Sequence, residues 1–408
     1  METIKRNIPE KILIFLICAI AMLIPWHKTL ASPVILLSFL VILFSGDYKN
    51  KWQRLINHKR NYVFIGIYLL FLFGYLISGN KQEAALDLKV KLYLLLIPIF
   101  WTSGIAFTKK EIEAVLKWFV VSCILFALTA LLFAVYTFIN TGANNFYYLE
   151  LVDFTYMHPS YIGMFETFAF MILSVDIIQN WNGFSKRRKW GYLGILLFLT
   201  LFIFLLTAKM AIVSLFIFGN IAFFILGKQI IGKRKALFIL LSGNIFAVIV
   251  LLSLPYTRER FKLLFTYDEV TYANSVNSRS EIWKAAMEVS EVNPVFGTGS
   301  GDSEQMLSEA YARNGFEKGV AERYNTHNQY LQVMVETGIF GLLVFFGFFG
   351  FCMRLAVLDR NYLYLAFLLL FMVNIFTESM LKTQSGVVFF VFFNSLLGLG
   401  FRPKKGSA

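Results

Sequence analysis

Four polar side chains in a largely apolar sequence have the types and positions that group-transfer chemistry needs. His327 lies in RYNTHNQYLQVMVETGIFG, residues 323–341, directly before a stretch that turns apolar and stays so. Imidazole, with an unperturbed pKa of about 6.5, can accept a proton from an incoming hydroxyl near neutral pH. Arg279 stands near the start of the amphipathic stretch NSRSEIWKAAMEV. A cation there opposes the helix dipole, and an anion beside it would resolve the mismatch. Lys209 is the one cation of LLTAKMAIV, between two long apolar runs. His158, in FTYMHPSYIGMFE, precedes a proline suited to a first helical turn. Each has a plainer reading: a boundary histidine, a surface Arg279 paired with Glu281 or Glu288, and a Lys209 that snorkels to the interface.

Other polar motifs carry less. GTGSG at 297–301 has the glycines of a phosphate-cradling loop, but no Lys-Ser/Thr follows and no strand-to-helix pattern surrounds it, so it reads as a turn. Asp302 and Glu304 are two residues apart, and capping of a following helix by Asp302 accounts for them without a metal. Neither a cofactor nor a metal site is expected. Glu166, about two turns beyond His158, is an ionisable group inside an apolar run and by default a functional candidate. Glu378 and Lys382 have the spacing of a helical i,i+4 ion pair. Cys18, Cys123 and Cys352 all fall in apolar runs and read as buried free thiols.

The elements that must position these groups are membrane helices. The 408 residues are 58% hydrophobic with 45 Phe, and the mean hydropathy is +0.64. Those values indicate an all-α polytopic membrane protein. Twelve low-charge runs are candidate spans: 12–27, 30–46, 62–79, 92–107, 116–139, 159–179, 191–207, 210–227, 236–254, 328–352, 362–379 and 386–401. The first lacks a small-residue cleavage site and is expected to stay as a span with the N-terminus inside. The net charge of +13 does not imply nucleic acid, because the basic residues cluster in alternate segments between spans, such as 186–189 and 228–235. That asymmetry sets the topology.

Two segments then acquire positions. As helix, residues 191–227 would extend about 55 Å against a hydrocarbon core of about 30 Å. Both flanks are basic, so the chain must turn back at Lys209, on the outer side. Residues 255–327 are the long hydrophilic segment, also outer, and their length calls for structure of their own. Ile282, Ala285, Ala286 and Val289 share one helical face there, with Asn277 or Ser278 as cap. GDSEQMLSEAYARNG suggests a second helix, begun by Asp302 and ended by Gly315. The chain thus divides into residues 1–254 with nine spans, the loop 255–327, and residues 328–408 with three spans and a basic tail.

RSEIWKAAMEVSEVNPVFGTGSG followed by THNQYLQVMVETGIFGLLVFF resembles the signature of the O-antigen ligase and polymerase family of bacterial envelope enzymes. The matching positions are Arg279, Trp283, Pro294, Gly297, Gly299, His327, Asn328, Tyr330, Leu331, Glu336, Gly338 and Gly341. The resemblance implies about twelve spans with one large periplasmic loop, in a multispanning, GT-C-like glycosyltransferase of the inner membrane with both termini cytoplasmic. It implies metal-independent, inverting transfer of a glycan from undecaprenyl diphosphate to lipid A core or another envelope glycan on the periplasmic face. Its functional set maps onto Lys209, Arg279 and His327, with His158, Asn328 and Trp283 as further substrate-binding candidates. The family usually shows Ser-Arg where this chain has Ala208-Lys209, which keeps the charge but loses the bidentate fork. Polymerisation within the same family is the second reading, and lipid or polysaccharide transport the third. Transport sites lie near the midplane, often beside internal repeats; here most ionisable candidates gather at the outer face.

Overall fold

The computed structural model describes residues 6–253 and 275–400. Lys5, the first part of the long hydrophilic segment, and the basic tail with Arg402, Lys404 and Lys405 lie outside the described residues. Every described secondary-structure element is helical, and each of the twelve apolar runs falls on a helix. Six of these helices are long and apolar enough to cross a membrane: Arg60–Ile77, Lys109–Thr141, Pro159–Gly183, Lys186–Leu205, Lys209–Ile231 and Gln329–Leu358. Ala31–Phe44 with Tyr48–Asn57, bent by 115°, makes a seventh if the pair is one span. The apolar helices Tyr362–Asn374 and Gln384–Gly398 have 13 and 15 residues. At about 1.5 Å per residue they fall short of a hydrocarbon core of about 30 Å.

The chain starts and stops its helices where local chemistry directs. Asn7 with Glu10, and Thr108 with Glu111, form capping boxes. The apolar stretch 191–227 is split as its length demands, into Lys186–Leu205 and Lys209–Ile231, with Thr207 in a left-handed conformation at the turn. Helix Pro159–Asn180 is buried on nearly every side and forms the axis of the bundle. Its Phe165 and Phe168 pack on Phe389, and Phe168 also meets Phe119, Phe367 and Phe393. Cys123 and Cys352 are buried as expected, whereas Cys18 is only partly so.

A second, smaller core lies under the hydrophilic segment. The four residues predicted to share a face, Ile282, Ala285, Ala286 and Val289, are its buried centre, packed with Leu307, Ala310 and Tyr311. Their helix is described from Ser275 to Val292, so Asn277 and Ser278 lie inside it rather than before it. The second helix, Ser303–Arg313, ends as expected with Gly315 at φ +70°.

This loop domain is bolted to the bundle through a break in helix Gln329–Leu358. Gly338 is non-helical there, at φ 63° and ψ −166°. The carbonyls of Val335 and Glu336 accept the N–H groups of Thr298 (2.8 Å) and Gly299 (3.0 Å). Beyond the break, the N–H groups of Ile339 and Phe340 donate to Pro294 (2.9 Å) and Val295 (3.1 Å). The segment 294–299, ending in the GTGSG turn, therefore supplies the backbone partners that the broken helix lacks. A Cβ at Gly297 (φ +76°) would run into the backbone of Glu336, Thr337 and Gly338, so only glycine fits.

Asp302 occupies the expected cap position of Ser303–Arg313 but makes no side-chain cap bond. Its carboxylate accepts instead from the N–H groups of Gly79 (2.5 Å) and Asn80 (2.9 Å), tying the loop domain to the end of helix Arg60–Ile77. Bonds to a charged acceptor contribute about 1.5–3 kcal/mol, less where exposed. Asp302→Ala is accordingly expected to cost about 1–2 kcal/mol in detergent-solubilised thermal unfolding; an unchanged midpoint would show the tether to be idle.

Candidate active site

His327 and Glu378 meet because two segments are zipped together. Asn328 caps helix Gln329–Leu358, its side-chain oxygen accepting from Tyr330 (2.9 Å) and Leu331 (3.2 Å). The N–H of Gln329 donates to the Ile375 carbonyl at 2.8 Å, and the Gln329 side chain accepts from the Leu381 N–H at 2.8 Å. Tyr330 donates its hydroxyl to the Met372 carbonyl at 2.8 Å. On the other side of the histidine, Thr326 and Ser379 hydroxyls lie 3.1 Å apart, and the Asn328 N–H donates to Ser379 at 3.2 Å. His327 itself adopts a left-handed backbone, φ 43°, with its N–H given to Asn325 at 2.9 Å.

The outcome is a shared carboxylate. Glu378 Oε2 lies 3.3 Å from His327 Nδ1, and Glu378 Oε1 lies 3.4 Å from Arg279 Nη2. Arg279 also donates to the Thr377 carbonyl at 3.3 Å. Burial alone would raise the Glu378 carboxyl, but the His327 hydrogen bond and the charges of His327, His158 and Arg279 hold it below the usual range. The anion that the position of Arg279 calls for is therefore Glu378. Glu288, one of the two partners expected for Arg279, is taken by Arg313 at 2.7 Å and by Asn314.

The expected Glu378–Lys382 pair does not form. The preceding helix ends at Asn374, and Met380–Lys382 is a separate 3-10 turn, so the i,i+4 geometry is absent. Lys382 binds Asp87 (2.8 Å) and Glu336 (3.0 Å) instead. Asp87 is also paired with Lys91, and Glu336 accepts from Gln332 at 2.7 Å. Gln332 in turn accepts from the Thr326 N–H (3.2 Å) and lies 3.1 Å from its hydroxyl. A continuous polar chain thus runs from helix Lys81–Lys91 to the residue before His327.

The remaining candidates take distinct places. His158 caps helix Pro159–Asn180, its Nδ1 accepting from the Ser160 N–H at 3.3 Å. The residue is exposed by surface area, yet desolvation by the groups around it lowers its pKa; Glu378 opposes this, while His327 and Arg279 add to it. His158 thus belongs to the same electrostatic cluster. Trp283 sets its ring against Phe376, 5.5 Å between centroids, two residues from Glu378. Lys209 begins helix Lys209–Ile231, and a Cβ at Gly163, just over one turn past His158, would touch Ala208 and Ala211. Lys209 is thereby at the same end of the bundle as the cluster. Glu166 is fully buried, and neither of its oxygens has a hydrogen-bond partner among the described residues.

Sequence spacing missed Glu378, Glu336 and Asp87 as members of this assembly. Their partners lie on other elements; the available signals were the charges of Glu378 and Lys382 just past the end of an apolar run and the place of Glu336 in the matching motif, while nothing marked Asp87.

A proton acceptor oriented by a carboxylate, next to a guanidinium, can accept a hydroxyl proton and stabilise negative charge on a departing group. Residues 194–346 match a family model described as O-antigen ligase. The matched stretch contains Lys209, Arg279, Trp283, His327 and Asn328, and ends before Glu378. No curated protein matches the chain.

Proposed function

We propose, from the match of residues 194–346 to the O-antigen ligase family model, that the chain transfers a glycan from undecaprenyl diphosphate to an envelope acceptor. Lipid A core is the first acceptor we assign and another lipid-linked glycan the second, since the two reactions share one chemistry. The reaction runs on the periplasmic face of the inner membrane, in a GT-C-like bundle of about twelve spans with both termini cytoplasmic. The observation that carries this reading is the Glu378 carboxylate shared by His327 and Arg279.

With its Nδ1 hydrogen given to Glu378, His327 keeps a lone pair on Nε2. The acceptor hydroxyl loses its proton to that nitrogen as its oxygen attacks the anomeric carbon. The bond from that carbon to the diphosphate oxygen breaks, and the electron pair leaves with undecaprenyl diphosphate. Attack opposite the leaving group inverts the anomeric centre. Arg279 and Lys209 carry the charge that builds on the diphosphate, a stabilisation greater in the transition state than in the ground state. This assignment gives the fixed cations the charge-stabilising role and routes no step through a metal. His158, Trp283 and Asn328 border the substrate on the same face.

The test is turnover of an undecaprenyl-diphosphate glycan by the purified full chain, with EDTA present and both acceptor types supplied. Arg279→Ala is expected to lower kcat/KM by about 10²–10³-fold, the usual effect of removing one oxyanion donor. Parent-like turnover by that variant would sink the assignment of Arg279. Movement of intact lipid across a bilayer without cleavage would instead make the protein a transporter.

A further inference from the structure

A cavity of about 850 Å³ opens at the end of the bundle away from His327 and Glu378. Helix Arg60–Ile77, about 27 Å long at 1.5 Å per residue, separates the two places. Arg60 lines the cavity, whereas Ser78, Gly79 and Asn80 at the other end hold Gly301 and Asp302. The cavity is bordered by the bent helix Tyr48–Asn57 and by helix Ile8–Leu23, and its charged lining is Lys51, Arg54, Lys59 and Arg60 with Glu10 and Asp47.

Lys51 is the anomaly. It is 8% exposed, yet the groups its ammonium bonds or stacks on are neutral, the Ile42 carbonyl, the Ser45 hydroxyl at 2.8 Å and the Tyr48 ring at 5.2 Å, and the Asp47 charge reaches it only from beyond hydrogen-bond distance. The cavity's two carboxylates are committed to other groups. Glu10 pairs with Arg6 at 3.5 Å and accepts from the Asn7 N–H, while Asp47 accepts from Asn50 at 2.7 Å and only loosely approaches Arg54 at 3.8 Å. Arg54 Nε is buried with no hydrogen-bond partner. A buried cation is costly unless an anion compensates it, and here two cationic groups have unused N–H capacity at one cavity.

We propose that this cavity binds a phosphate-bearing anion, held by the remaining N–H of Lys51 and the partly exposed guanidinium of Arg54, with Lys59 at its rim. The proposal is independent of the transfer reaction at the other end. Tyr48, Trp52 and Ile56 recur every four residues and are 64, 63 and 43% exposed. Together they form an apolar stripe on a helix that turns 115° away from the apolar helix before it. Such a helix lies in the plane of a lipid surface, at the depth of the headgroups. The cavity is large enough for more than a phosphate, and an anionic phospholipid headgroup is the source this geometry favours.

Native mass spectrometry of the detergent-purified full chain, titrated with dioleoylphosphatidylglycerol or dioleoylphosphatidylcholine, tests this. The parent should retain the anionic lipid selectively. Lys51→Met and Arg54→Gln should each weaken that retention about tenfold while leaving phosphatidylcholine unaffected. Arg54 is partly exposed, so its variant keeps the test alive if Lys51→Met does not fold. Inorganic pyrophosphate is then added as a competitor: persistence of the lipid assigns the site to a headgroup, and displacement assigns the same phosphate recognition to a soluble ligand. Equal retention of phosphatidylglycerol by the parent and both variants overturns the proposal.

Discussion

Replacing His327 by Ala is expected to leave the protein inserted and folded while slowing glycan transfer by about 10²–10⁴-fold, the range lost with a positioned general base. The ring is partly exposed and makes one edge contact with Tyr324, 5.4 Å between centroids, so its removal opens little of the core. Glu378→Gln distinguishes a base from a diphosphate ligand. That change removes the carboxylate that orients His327, and it also frees Arg279 from its only carboxylate partner among the described residues. The expected signature is a fall in kcat without a rise in KM for the lipid-linked donor, because Arg279 becomes more available to diphosphate. A raised donor KM at unchanged kcat in either variant would mean that the pair binds substrate and does not move the proton.

How far the sequence reached is clearest at these residues. The apolar face of Ile282, Ala285, Ala286 and Val289, the helix break before Lys209 and the stop at Gly315 were legible because each depends on neighbours within a few residues. Glu378 was not, because reading it as the partner of Lys382 assumed that a helix continued past Asn374. The true partner of its carboxylate, Arg279, is 99 residues away in sequence, and Lys382 reaches Glu336 across 46. Helical spacing rules cannot rank such pairings, since they depend on how separate elements dock. Asp302 shows the same limit: its position before a helix suggested a cap, while docking gave its carboxylate to Gly79 and Asn80. Twelve apolar runs were legible as helices, but where each helix ends is decided by packing and capping. Six therefore meet the length and composition of a membrane span among the described residues.

Lys382→Met is the substitution expected to cost most in stability, about 3–5 kcal/mol, the range found when one partner of a buried ion pair is removed. Methionine fills similar volume, so the loss is electrostatic. Glu336, 1% exposed, would keep only the neutral donor Gln332, while Asp87 would still have Lys91. Adding Glu336→Gln should recover much of the loss, and the double-mutant cycle isolates the coupling; equal costs of Lys382→Met with and without Glu336→Gln would show that the pair is not coupled. The pH dependence follows from both partners. Burial alone would lower the Lys382 pKa, but Glu336 and Asp87 raise it above the ordinary lysine value. Its contribution is therefore complete below about pH 10 and lost as pH rises through the raised value. Burial alone would raise the Asp87 carboxyl, but Lys91 and Lys382 hold it below the ordinary value. That contribution is present above about pH 4 and lost as pH falls through the lowered value. Parent and Lys382→Met should accordingly differ by a constant amount between those limits and converge outside them. Because Gln332 joins this network to Thr326, the same variant should also loosen the segment that holds His327, lowering kcat in protein that remains folded. Lys382→Arg, which keeps the charge, should restore part of both stability and rate, whereas a role in filling space alone would let Met serve as well as Arg.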